Sequence, residues 1–363
     1  MSYEKVNEKV RFGQIDLFKF IAALLVITIH TDPLITYSDF ANFILTRIIS
    51  RLAVPFFFIS SGYLFSIKLS DDKVRNNKLL LKYINKIFKL YLFSIVIYIP
   101  INLYNGYFKE HNSIISFLKD FIFNGTMYHI WYLPALILGM IIVYLLISNL
   151  GLNKALIISI VLYIIGLFGD SYYGISNDID FLKSIYDNLF LIFNYTRNGL
   201  FFAPIYIALG YQLLSLYNKD KVYKSSKRDL ALFIIFFLLF AIESTVLKIY
   251  NLPKHDSMTL FLVPSVYFLF RICLQLKNVQ IKSLRQLSLY VYILHPMMIV
   301  VARVIGKITK TSNFIIDNSL INYLIVTILS IIVSIVLINI KASKIEKKVK
   351  HKKYKYYYTR RLK

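Results

Sequence analysis

Lys19 and His30 lie eleven residues apart in "IDLFKFIAALLVITIH", residues 15–30, a stretch that is otherwise almost wholly apolar. On a helix they share one face, with Ala23 and Val26 filling the stripe between them, and they stand roughly 16 Å apart along the axis. That is too far for a hydrogen bond or a shared reacting atom, so the two groups serve different ends of something long. A cation can hold an anionic group at one end; an imidazole can act as general base at the other. Asp16 is placed to pair with Lys19 at (i, i+3), and Asp32 to orient the imidazole of His30. Snorkelling residues at the ends of a membrane helix produce the same pattern without chemistry.

Other polar groups collect in similar places. In "KLLLKYINKIFKLY", Lys82, Lys86 and Lys89 recur on one helical face, a basic mouth suited to a ligand with several phosphates. No Walker A or G-x-G-x-x-G pattern supplies a backbone cradle, so phosphates would be held by side chains. "HIWYLP" carries His129 and the only Trp, Trp131, while "TRNGLFF" carries Arg197. Each could be an interfacial anchor, or all three could join His30 and Asp32 in a site. "VPFFFISSGYLF" places Ser60 and Ser61 inside an apolar run, as small residues for close helix packing or as a nucleophile. "LSLYVYILHPMMIV" carries Tyr290 and buries His295, a functional candidate by default inside a membrane.

These residues need a scaffold that a membrane can hold. Of 363 residues 57% are hydrophobic and only 17% charged, too little polar surface for a soluble protein of this size. With no ten-residue alternating strands, the expected fold is an all-α, polytopic membrane helical bundle. Apolar segments near 15–31, 48–67, 87–104, 130–149, 155–169, 199–216, 229–249, 258–276, 287–305 and 319–340 predict about ten transmembrane helices. The fifth is short for a hydrocarbon core of about 30 Å, and 181–195 reads as an interfacial helix. The single Cys, Cys273, excludes an internal disulfide and a Cys-based metal site, and no metal site is expected.

Lys and Arg alternate between loops: with the N-terminus inside, the inner segments 1–14, 68–86, 150–154, 217–228 and 277–286 hold 18, against 8 in the outer ones. The positive-inside rule then places both termini in the cytoplasm. No cleavage motif follows the first span, which is expected to be retained. The chain divides into a membrane domain, 1–340, and a basic tail, 341–363, whose 11 Lys/Arg against one Glu suit anionic lipid headgroups rather than nucleic acid.

Read in order, the stretches resemble the integral-membrane acyltransferase-3 family. Lys19 and His30 have the spacing of that family's Arg and His, and "FFFISSGYLF", "KYINKIFKLY", "HIWYLPAL" and "LSLYVYILHP" are similar to its later motifs, over about residues 13 to 305. The resemblance implies a plasma-membrane O-acyltransferase. It implies His30 as acyl-transfer base, acetyl-CoA or another acyl-CoA as donor substrate on Lys19, Lys82, Lys86 and Lys89, and a hydroxyl of a cell-envelope glycan or small molecule as acceptor. "IDLFKFIAALLVITIHT" and "TRNGLFFAPIYIALG" also look like the membrane half of membrane-bound serine racemases, without their pyridoxal-phosphate domain. No permanently bound cofactor is expected, and a separate partner protein could take the acyl group. The rival expectation is a transporter of a small polar solute such as serine.

Overall fold

The computed structural model describes residues 12–110, 113–217, 226–278, 281 and 283–361. The expectations attached to 1–11, to the loop around 218–225 and to the side chains of the tail beyond 343 lie outside the described residues. Among the described residues the regular structure is entirely helical. The main helices are α1 (Gly13–Thr31), α2 (Asp39–Ser66), α3 (Lys73–Tyr104), α4 (Tyr132–Leu150), α5 (Leu152–Phe168), α6 (Asp180–Phe190), α7 (Ala203–Tyr217), α8 (Ser226–Ile249), α9 (Leu262–Gln275), α10 (Leu284–Ile308) and α11 (Ser319–Arg361). A helix covers each of the ten predicted apolar segments. Seven of them, α1–α4, α8, α10 and α11, are long and apolar enough to cross a membrane, whereas α5, α7 and α9 are shorter apolar helices.

Local chemistry fixes the ends. Asp72 caps α3 by accepting hydrogen bonds from the amides of Val74 and Arg75 at 2.8 and 3.1 Å. The helix therefore begins at Lys73, well before the apolar stretch that located it from sequence. Asp32 ends α1 in the left-handed conformation and donates its N–H to the Thr28 carbonyl. Glu243 of α8 accepts from the amides of Leu260 and Phe261 at 2.7 and 2.9 Å, capping α9 from a neighbouring helix. The segment read as interfacial forms α6, with Tyr186 buried among mostly exposed neighbours.

The helices form two compact units, 1–39 with 279–363, and 40–278. In the first, α10 packs against α1 and α11. The turn after α1 is tied to the start of α11, where Ser319 Oγ donates to the Pro33 carbonyl at 2.8 Å and lies 2.7 Å from Thr36 Oγ1. In the second, α7 is the central element, packed against α2, α4, α5 and α9. Its contact with α2 is a backbone-to-backbone approach. A Cβ on Gly62 would fall 2.2 Å from the Ile207 carbonyl oxygen, and one on Gly210 2.4 Å from that of Ile59. Small residues are what permit such contact between membrane helices.

Candidate functional site

In the first unit, His30 occupies the last turn of α1, half-buried, and its ring stacks on that of His295, with centroids 5.3 Å apart and planes 21° from parallel. His295 is fully buried, with Nδ1 2.8 Å from the Tyr292 carbonyl. The neighbouring residue explains that contact. Pro296 has no N–H, so the Tyr292 carbonyl four residues back lacks its usual helical donor, and the imidazole supplies one. Because a carbonyl only accepts, Nδ1 carries a proton. The two histidines, treated separately from sequence, thus form one pair.

Around this pair, Asp32 is half-buried at the helix cap, and Asp16 and Lys19 are half-buried at the opposite end of α1. Ala23 and Val26 between them are buried. The Tyr290 hydroxyl lies 3.5 Å from Lys341 Nζ.

The remaining sequence candidates belong to the second unit. Lys82, Lys86 and Lys89 are exposed along α3. Ser60 and Ser61 are buried and donate to the Phe57 carbonyl of their own helix, at 3.0 and 2.8 Å, which fits the tight α2–α7 contact. His129 is buried and meets Tyr98 edge-to-face at 4.8 Å. Arg197 lies over the rings of Tyr195 and Trp131 at 4.6 and 5.4 Å, a cation–π arrangement. Of the residues that could join in one site or act as separate anchors, His129, Trp131 and Arg197 belong to the second unit and His30 and Asp32 to the first.

Two features of the second unit escaped the sequence reading. The first is a cluster of charges in and beside loops. Arg47 and Arg51, on the irregular first half of α2, converge on Asp256, Arg47 at 3.3 Å. Burial opposes ionisation of Asp256, yet Arg51 and Arg47 outweigh it and hold its carboxyl below the usual range. Asp170 is fully buried; its Oδ1 accepts from the amides of Ser257 and Met258 at 2.7 and 2.8 Å and from the Ser171 hydroxyl at 2.9 Å. Burial pushes its pKa up to about 7, against the opposing pull of Arg197 and those donors. His255 is pushed down to about 4, by burial first and then by Arg197 and Lys254.

The second is a cavity of about 280 Å³ where the 102–131 and 194–197 segments meet, lined by residues that include Asn102, Asp120, Asn124, Thr126, Trp131 and Arg197. Gly125 makes its shape possible. Its φ of 76° belongs to the left-handed region, and a Cβ there would meet the Trp131 backbone nitrogen at 2.7 Å. The only available sequence signals were an Asn-Gly pair and a scatter of amides in a loop without periodicity.

Comparison with known proteins adds what geometry cannot. The family model described as an acyltransferase domain, acyltransferase-3, matches residues 12–339. An amino-acid racemase of Enterococcus faecalis is 39% identical over 342 residues, covering 94% of this chain and 47% of that protein. A serine/alanine racemase of Enterococcus gallinarum is 34% identical over 319 residues, covering 87% and 44%. The chain therefore spans about half the length of the curated relatives it matches. No solved structure matches it.

Proposed function

The chain belongs to the acyltransferase-3 family of membrane proteins, and from that premise we propose that it moves an acyl group, acetyl in the first instance, from acyl-CoA to a hydroxyl. The observation that carries this reading is the His30–His295 pair. His30 takes the proton of the acceptor hydroxyl as its oxygen attacks the thioester carbonyl. The C–S bond then breaks, and the imidazolium returns the proton to the departing thiolate, so His30 ends neutral. His295 positions His30: its own ring is locked by the bond to the Tyr292 carbonyl, and the stack holds the neighbouring imidazole in plane. Asp32 orients the same ring from the helix cap.

The exposed face of α3 supports donor binding, because Lys82, Lys86 and Lys89 offer three positive charges to the phosphates of CoA. In the first unit, Lys19 at the first turns of α1 is proposed separately as a phosphate contact. The Lys/Arg distribution supports a plasma-membrane protein with both termini cytoplasmic and a tail drawn to anionic lipid, with the acceptor hydroxyl, of an envelope glycan or a small molecule, on the far side. A separate partner protein completes transfer where the acceptor is a polymer.

The test uses purified protein in liposomes with acetyl-CoA labelled on the acetyl group. Thioester loss and label transfer are expected in the wild type and absent in His30→Ala; equal transfer by the variant removes His30 from the mechanism. A second reading is import of a small polar solute such as serine. It is favoured by the names of the relatives, amino-acid and serine/alanine racemases, of which this chain matches about half. Counterflow of labelled serine without acetyl-CoA would support that reading.

A further inference from the structure

We propose that the second unit holds a water-filled, positively charged recess that takes up a small oxyanion, the carboxylate or phosphate group of a soluble solute. It is read from a difference in depth between two neighbouring helices. At one end, Asp229 of α8 accepts from Arg271 Nε at 3.0 Å and from Gln275 Nε2, both near the end of α9. At the other, Glu243 of α8 accepts from the amides of Leu260 and Phe261, where α9 starts. Asp229 and Glu243 are 14 residues apart, as many as α9 contains, so the two helices run level over about 21 Å. α8 then continues from Glu243 to Ile249, about 9 Å further, at the end that the Lys/Arg distribution marks as outer.

Lipid follows α8 over that extra length, because its exposed apolar residues, Ile234, Leu238, Ile242, Val246 and Ile249 among them, run to its last residue. The loop between α8 and α9 therefore returns about 9 Å below the level where α8 ends. α2 gives an independent measure. Arg51, which pairs with Asp256 of this loop, stands just before the regular half of α2, Ala53–Ser66. Those 14 residues reach about 21 Å, against a hydrocarbon core of about 30 Å. Irregular backbone at such depth is tolerated only inside protein or beside water. The loop is not sealed in protein, since the side chains of Arg47 and Asp256 are 39% and 36% exposed. Charged groups do not turn that surface to hydrocarbon, so it faces water.

The balance of charge selects the solute. Arg47 and Arg51 both meet Asp256, and Arg197 reaches the Ser257 hydroxyl at 3.5 Å. Asp170 does not redress the surplus at the surface, being fully buried and engaged by the amides of Ser257 and Met258. Three guanidinium groups thus stand against one exposed carboxylate, between low-dielectric walls that concentrate anions. The planar fork of Arg suits a carboxylate or a phosphate, the chemistry that Asp256 already displays there.

This inference goes beyond the acyl-transfer reading and is tested without an acyl donor, so either can fail alone. The chain's one Cys, Cys273, is fully buried, so the native protein supplies the background for thiol labelling. Full-length His255→Cys and Arg47→Cys, each with native Trp131 fluorescence, are placed in phosphatidylcholine liposomes. They are treated with two water-soluble methanethiosulfonates, one bearing a sulfonate and one a quaternary ammonium, and each rate is divided by that with free cysteine. Both cysteines should react, and His255→Cys should favour the sulfonate about tenfold, the low end of steering into a cleft of one sign. Acetate or inorganic phosphate at constant ionic strength should slow that reaction saturably. Adding Arg47→Gln should weaken both the preference and the protection. An unreactive cysteine at either position in folded protein would overturn the proposal, as would a preference for the cation or protection by neither anion. Protection that appears only when anionic lipid is added would assign the recess to a headgroup and overturn the soluble solute.

Discussion

Replacing Asp170 with Asn should remove a pH dependence from the protein's stability. The carboxyl is fully buried and has its pKa raised from 3.8 to about 7. The folded state therefore prefers the protonated acid, while the unfolded chain ionises from about pH 4 upward. The stabilisation that protonation carries is complete below the unfolded pKa and is lost as pH rises towards the folded one. Between pH 5 and pH 7 the unfolded chain is ionised and the folded acid still mostly protonated. At about 1.36 kcal/mol per pH unit, less what is lost as the folded acid begins to ionise near pH 7, this span weakens the wild type by about 2 kcal/mol. Asn keeps an Oδ1 acceptor for Ser257, Met258 and Ser171 and carries no charge, so the variant should lack this decline. Thermal unfolding followed by Trp131 fluorescence at pH 5, 6, 7 and 8 measures it. The wild type should lose several degrees across the series relative to the variant. Parallel pH profiles for the two proteins would show that the buried carboxyl does not titrate in this window, and the reasoning from burial would fall with it.

Other expectations follow from single contacts. Gly62→Ala drives a Cβ into the Ile207 carbonyl and should destabilise by at least about 2 kcal/mol; Gly210→Ala strains the same contact, so the double variant should lose less than the sum in chemical unfolding. His295→Phe keeps a ring beside His30 but strands the Tyr292 carbonyl, costing about 1–3 kcal/mol. Adding Pro296→Ala restores an amide donor to that carbonyl and should recover most of the loss, whereas an additive double variant would refute the proposed link. Removing the shared cap with Glu243→Ala should free the start of α9, seen as faster amide exchange at Leu260 and Phe261.

Helix positions were legible because apolar runs of membrane length have few alternatives, and each predicted run is helical. What hydropathy could not deliver was the extra length of α3, whose first turns are basic and whose start is announced by Asp72 instead. It marked α5 as short, but it could not show that α7 and α9 fall short of spanning length too, since the window counts flanking apolar loop as helix. The His30–His295 pair joins residues 265 positions apart, beyond any local pattern, although the His-Pro pair at 295–296 carried a readable hint. The cavity was illegible for a different reason. Asn102, Asn124 and Thr126 are ordinary loop or helix-end residues until folding brings them to one wall. Asp170 and Asp256 likewise look like solvated loop acids in the sequence.

The first unit is assembled from the two ends of the chain, with the whole of the second threaded between them. During synthesis α1 leaves the ribosome about 250 residues before its partner α10. At roughly 5–20 residues per second that interval lasts from about 12 to 50 seconds. For that time Asp16, Lys19 and His30 reside on a membrane helix whose native neighbours do not yet exist, while α2 to α9 are made in turn and can begin to pack. Lipid and the insertion machinery must shelter α1 through the delay. Lengthening that wait by slowing translation between residues 200 and 280 should raise the fraction of chains lost to proteolysis before the histidine pair can close.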